Sequence, residues 1–238
     1  MKPSPLLPAA TWLEELARQV ERLREVVEPE AVHRLRVAAG RLSVWLELGA
    51  RRALRDDLRR LRRSAAAVRD LDVIAANDGG STWADVLRDE RGEEAARLRA
   101  ALRSPRVEGL LDALAAVPEP DPVDVRAALQ RLKRRVLRAG DALDDPADGT
   151  GALHRLRRRV RRLRYALDWM GADASELRGL QEHLGGLNDL AIELARLDVR
   201  RGDMALDARR RAVRREMDER RAAALAAWGA LRPSIGEL

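Results

Sequence analysis

Apolar residues recur along this chain at intervals of three and four, and the pattern is interrupted only at a few short stretches rich in Pro, Gly and Asp. That period predicts helices throughout and no strands. The first run covers about 9–27 and stops at Glu28-Pro29, where Pro29 suits the first turn of a second helix, near 30–48. A third run, about 51–77, ends at the breaker Asn77-Asp78-Gly79-Gly80. Thr82 and Asp85 have the spacing of a capping box for a run near 82–103, and Ser104-Pro105 reads as an N-cap and first-turn proline for a shorter helix to about 117. The stretch PEPDP, residues 118–122, is the expected boundary between two halves, 9–117 and 122–232, of one domain spanning 1–238. Beyond it, helices are predicted near 122–143, 152–170, 175–198 and 203–230, with breaks at 144–151, 171–175 and Gly202.

The second half repeats the first. VHRLRVAAGRLSVWL at 32–46 aligns without gaps on LHRLRRRVRRLRYAL at 153–167, a shift of 121. LRRLRRSAAAVRDLDVI at 58–74 falls on LRGLQEHLGGLNDLAIE at 177–193, a shift of 119. Two motifs recurring in order at almost constant spacing predict two similar antiparallel helical bundles related by an approximate two-fold axis.

At 100° per residue, Leu35, Ala39, Leu42 and Leu46 share one side of their helix, as Leu156, Val160, Leu163 and Leu167 do in the second copy. These stripes are the expected core. Away from them His154, Arg157, Arg158, Arg161 and Arg164 share a face, matched in the first copy by His33, Arg36, Val37, Gly40 and Ser43. Downstream of the first copy, Arg55, Arg59, Arg62 and Arg69 also fall together, beside the stripe of Leu54, Leu58, Leu61 and Val68.

Composition narrows the chemistry. Leu, Ala, Val and Arg dominate, Phe and Cys are absent, and Tyr occurs once, which suits an all-α protein. Without cysteine there is no disulfide or thiolate metal site, and no segment has the apolar length of a signal peptide or membrane span, so a cytoplasmic protein is expected. Basic residues outnumber acidic ones 46 to 39, a net charge of +7, with lysine only at Lys2 and Lys133. Scattered arginines are ordinary helix surface. Residues 153–167 are different, because they hold a histidine and seven arginines and no acid. Like charges three or four apart destabilise a helix by about 0.2–0.5 kcal/mol per pair. Relief comes either from acids on other helices or from an external polyanion, and the sequence leaves both open.

The pattern H-x-L-R followed by R-L in each copy, together with VRDLDV at 68–73, LNDLAI at 187–192 and ALRSPRVEGLLDAL at 101–114, resembles the conserved-histidine α-helical domain family, usually called CHAD, over essentially the whole chain. The resemblance implies two pseudo-symmetric four-helix bundles around a basic central cavity, and binding of inorganic polyphosphate without catalysis, in the cytoplasm or at polyphosphate granules. Phosphate or sulfate ions would be stand-ins for that ligand. Carried over residue by residue, the implied ligands are His33, Arg36 and Arg41 in the first copy and His154, Arg157, Arg158, Arg161, Arg162 and Arg164 in the second, with Arg55, Arg59, Arg62 and Arg63 as additions. Gly40 and Ser43 stand where the family usually has basic residues, so the first copy is expected to bind less strongly. The chemistry agrees, since guanidinium forks clasp phosphate oxygens and a histidine becomes cationic below about pH 6.5.

Three rival readings remain. Nucleic acid is the strongest, because any basic groove binds phosphodiesters. Against it, Trp12, Trp45, Trp83, Trp169 and Trp228 are spaced as helix-face residues, with Tyr165 the one aromatic beside the basic face. A metal site is disfavoured, since His33 and His154 have no carboxylate on their own helix face, and His183 has no counterpart in the first half. Hydrolysis of a phosphoanhydride would want a group able to hold a metal or activate water, whereas Asp70, Asp72 and Asp189 read as capping or pairing residues near helix ends. No cofactor is expected.

Overall fold

The structure, a computed structural model, describes residues 7–52, 54–77, 84–144, 149–199 and 206–237. Among them ten α-helices and one 3₁₀ turn occur and no strand, so the fold is all-α. The helices are α1 (Ala10–Glu25), α2 (Pro29–Leu48), α3 (Arg55–Ser64), α4 (Ala66–Asn77), α5 (Ala84–Leu102), α6 (Pro105–Ala115), α7 (Pro122–Asp141), α8 (Gly149–Trp169), α9 (Ser175–Val199) and α10 (Asp207–Glu237), with the 3₁₀ turn Ala142–Asp144 after α7. Chain contacts divide into two compact units, Met1–Ala128 and Leu129–Leu238, parting within α7.

Two local expectations are corrected. The run 51–77 is two helices, because the Ser64 hydroxyl donates to the Leu61 carbonyl at 2.8 Å and Ala65 (φ −90°, ψ 0°) closes α3. A serine bonding back to its own helix competes with the regular ladder, which a reading of apolar period does not register. Ser104 does precede α6 with extended backbone and Pro105 does start it, but the hydroxyl makes no cap bond. It donates instead to the Ala101 carbonyl at 2.7 Å and so finishes α5. Thr82, the proposed cap of α5, lies outside the described residues, as does Trp83.

In the first unit α1 packs on α2, α5 and α6, α2 packs on α3 and α4, and α4 packs on α5. Leu35, Ala39, Leu42 and Leu46 are all buried, as expected, together with Leu16, Val20 and Leu23 of α1. Burying such side chains is worth about 1.5–3 kcal/mol each, and sets which face of α2 is left for chemistry. A polar brace joins three elements: Arg91 of α5 donates from Nε to Asp72 of α4 at 2.6 Å and from Nη2 to the Val27 carbonyl at 2.9 Å. The Asp72 side chain is only 3% exposed, so this pairing neutralises a carboxylate that could not otherwise be held there. At the end of α2 the Ala50 amide donates to Glu47 and the Arg51 amide to Leu46, which forces Ala50 to φ +55°.

In the second unit α9 packs on both α8 and α10. Leu156, Val160, Leu163 and Leu167 are buried on α8, opposite a leucine series on α9 that includes Leu177, Leu180, Leu184 and Leu187. Trp228 of α10 lies against Gly140 of α7 so closely that a Cβ there would fall 1.8 Å from the indole, and Arg232 bonds Asp141 alongside at 2.9 Å. Glu193, buried in α9, receives both arms of Arg209 at 2.5 and 2.9 Å. The end of α8 repeats the end of α2, with Gly171 donating to Asp168, Ala172 donating to Leu167, and Gly171 at φ +64°.

Candidate functional site

The leucine stripe turns His154 outward on α8, one turn before Arg157 and Arg158, and α9 brings a partner to it. Nδ1 of His154 lies 3.1 Å from Oδ1 of Asn188, and Nδ2 of Asn188 donates to Asp189 at 3.4 Å. Asp189 thus takes up the amide N–H side of Asn188 and leaves Oδ1 to accept from a protonated Nδ1, so that Nε2 is the nitrogen left to meet a ligand. Burial is the main cause holding His154 below the ordinary histidine value, followed by the positive charge of Arg158. The Asn188 bond acts in the opposite direction, and Arg157 and Arg161 depress the value further. Asp189 therefore stands mid-helix and acts on a neighbour's orientation, which corrects its placement near a helix end.

His33 is set up similarly in its own unit. It is exposed on α2, and burial of part of the ring depresses its value most, with Arg69 of α4 next. Glu30 opposes this, and Arg36 and Arg34 add to it. Arg69 precedes Asp70 in VRDLDV as Asn188 precedes Asp189 in LNDLAI, so the residue before the motif aspartate touches the histidine in the second unit and acts on it electrostatically in the first. The surroundings differ on one side. A cavity of about 400 Å³ between α1 and α2 reaches His33 and carries Glu14, Glu15 and Glu30 with Arg18 and Arg34, so acids from α1 and the first turn of α2 approach this histidine.

The arginines expected as ligands divide by what they already touch. Arg36 donates to the Arg62 carbonyl at 3.2 Å, joining α2 to α3. Arg41 lies with its guanidinium 4.3 Å from the centre of the Trp12 ring, so it is stacked and only half-exposed. Arg55 pairs with Glu47 at 3.6 Å, and Arg59 pairs with Asp56 one turn earlier. Arg164 donates to Gln181 at 2.8 Å and Asp168 at 3.3 Å, over the Tyr165 ring at 4.7 Å. Arg63 and Arg158 are exposed, while Arg62, Arg157, Arg161 and Arg162 are half-buried. The structure thus gathers His154 with Arg157, Arg158 and Arg161, and His33 with Arg36, while Arg55, Arg59 and Arg164 carry carboxylate partners of their own.

Among the described residues the aromatic side chains do not form a platform. Trp45, Trp169, Trp228 and Tyr165 are buried, and Trp12 has Arg41 on its ring. His183 is exposed. Among the described residues no group of three metal-ligating side chains converges, and no helix is long and apolar enough to cross a membrane.

The model of the CHAD domain matches residues 9–198. The crystal structure of the CHAD domain from the plant Ricinus communis superposes with a TM-score of 0.73 at 22% identity, covering 100% of this chain and 94% of the other. PptA from Streptomyces chartreusis superposes with a TM-score of 0.72 at 20% identity, covering 93% and 96%. No curated protein sequence matches significantly. A histidine motif and an aspartate motif repeated in both halves, and a domain match running through both copies, together make this chain a member of the CHAD family.

Proposed function

We propose that the chain binds inorganic polyphosphate, without catalysis, through the histidine–arginine faces of α2 with α3 and of α8. The observation that carries this reading is α8 itself. Its one acid, Asp168, is taken by Arg164, while His154 is held toward its neutral form first by burial and then by Arg158, Arg157 and Arg161. A polyanion relieves that repulsion and offers oxygens to guanidinium forks and to Nε2. Family membership supports the choice of polyphosphate over a generic polyanion. The buried aromatics favour a ligand without bases. The ligand set is His33, Arg36, Arg41, Arg62 and Arg63 in the first unit and His154, Arg157, Arg158, Arg161 and Arg162 in the second. Arg55, Arg59 and Arg164 complete the set, each also pairing with a carboxylate, Glu47, Asp56 and Asp168 respectively.

The test is calorimetric titration with long-chain polyphosphate and with duplex DNA at physiological salt. Polyphosphate is expected to bind more tightly, with affinity falling steeply as salt rises. Replacing Arg157 and Arg161 by Ala is expected to weaken binding by tenfold or more, and replacing Arg36 and Arg41 by less, since a charge-assisted bond is worth about 1.5–3 kcal/mol. Circular dichroism of both double variants should match the parent. Equal binding of DNA, or a response flat in salt, would overturn the reading.

A further inference from the structure

The first unit has fewer cations than the second on the histidine face, because Val37, Gly40 and Ser43 occupy the places of Arg158, Arg161 and Arg164. What α4 brings to that face changes the comparison. Asn188 shows by its 3.1 Å contact with His154 where the residue before the motif aspartate sits relative to the histidine. In the first unit that position is Arg69, on α4, which packs on the histidine helix α2. The second unit therefore has a neutral amide at this position against its histidine, and the first has an arginine there whose charge the histidine feels.

That guanidinium acts on His33 and Glu30 through its charge, with no bonded partner among the described residues. Arg69 is half-buried, and no hydrogen bond or ion pair of its side chain occurs among them. Asp70 is its sequence neighbour and points elsewhere on the helix, and Asp72, one turn along, is buried and held by Arg91. Glu30, whose charge Arg69 feels, is hydrogen-bonded to Arg34 at 2.8 Å. A half-buried cation is ordinarily compensated, and Arg69 is one that His33, with Arg36 on the same helix face, feels electrostatically.

We propose that Arg69 is an anion-binding residue of the first unit, clasping phosphate oxygens together with His33 and Arg36 in place of the arginines that α2 lacks. The inference rests on the polyphosphate reading and adds a ligand from a helix to which that reading assigned none. It makes the two units chemically different: one grips with arginines of a single helix, the other with cations brought together from α2, α3 and α4.

The decisive variant is Arg69→Asn, which installs the residue the second unit already tolerates. With the full chain and long-chain polyphosphate, affinity is expected to fall roughly tenfold, and the slope of log affinity against log salt to drop by about one. In the protein without polyphosphate, the His33 midpoint followed by NMR is expected to rise, because a neighbouring cation is gone, while that of His154 stays. If Arg69→Asn lowers helicity, Arg69→Gln serves as the second neutral variant with the same expected loss. Parent binding with unchanged affinity in the neutral variants overturns this inference and leaves the polyphosphate reading standing. An unmoved His33 midpoint overturns it as well. A parent chain that does not bind polyphosphate overturns the polyphosphate reading itself, and the inference falls with it.

Discussion

His154 and His33 are both held below the ordinary histidine value, first by burial and then by neighbouring cations. The sign of the consequence follows. In the unfolded chain these rings protonate near pH 6.5, and in the folded chain only at lower pH, so stability is lost as pH falls through that interval. The groups facing them are Arg157, Arg158, Arg161 and Asn188 for His154, and Arg69, Arg36, Arg34 and Glu30, with Glu14, Glu15 and Arg18 across the cavity, for His33. A bound polyanion reverses the effect by favouring the imidazolium. Titration calorimetry in two buffers of different ionisation enthalpy is expected to show proton uptake on binding at pH 6, and almost none in a His33→Gln, His154→Gln double variant. At this scale the sequence exposed the histidines and their arginines, because four-residue spacing on one helix is visible in a string of letters. It did not expose Asn188, which comes from 34 positions away, or the pairing of Arg55 with Glu47 across a turn. Arg164 with Asp168 was legible as an i,i+4 pair, and its assignment as a ligand came from the resemblance instead.

Helices were the legible elements, since the leucine stripes of α2 and α8 are buried as their period implied. Their ends were less so, because Ser64 and Ser104 spend their hydroxyls on preceding carbonyls, where a cap or an uninterrupted helix was expected. The ends of α2 and α8 also carry a difference between the copies that can be measured. Both close with the same pair of backbone bonds, yet the left-handed position is glycine at 171 and alanine at 50, again 121 apart. An alanine there bears the Cβ–carbonyl conflict that glycine lacks. Ala50→Gly is expected to stabilise the protein by about 1 kcal/mol in denaturant unfolding, with helicity unchanged and polyphosphate affinity equal to the parent. A loss of stability would mean that unfolded-chain entropy outweighs the relieved strain.

For the whole molecule, a net charge of +7 supplies long-range attraction to any polyanion, but the excess is distributed by element. Acids accompany arginines on α1, α3 and α5 in pairs such as Arg18 with Glu15, Arg59 with Asp56 and Arg88 with Asp85. On α8 the basic run reaches Arg164 before the one acid that follows, Asp168. The internal repeat was readable from the sequence because the motifs kept their spacing. The parting of the chain within α7 was not, because PEPDP marks a break in secondary structure and the contacts divide a little beyond it.

Arg157 and Arg161, like Arg158 and Arg162, stand four residues apart, which is about 6 Å along the axis of α8. A linear ligand built of identical units presents the same oxygens after every step along its length. On the proposed reading such a chain has no single register on this helix: it slips by whole units and remakes the same contacts, and its ends go unread. Lengthening it beyond the footprint adds equivalent placements and leaves the strength of each grip unchanged. Polyphosphates of graded length are therefore expected to bind with a dissociation constant per chain that falls roughly in inverse proportion to length, while the constant per phosphate unit stays level. Tightening per unit with length, or a preference for chains of one size, would show that the helix reads an end or a fixed span and not a repeating lattice.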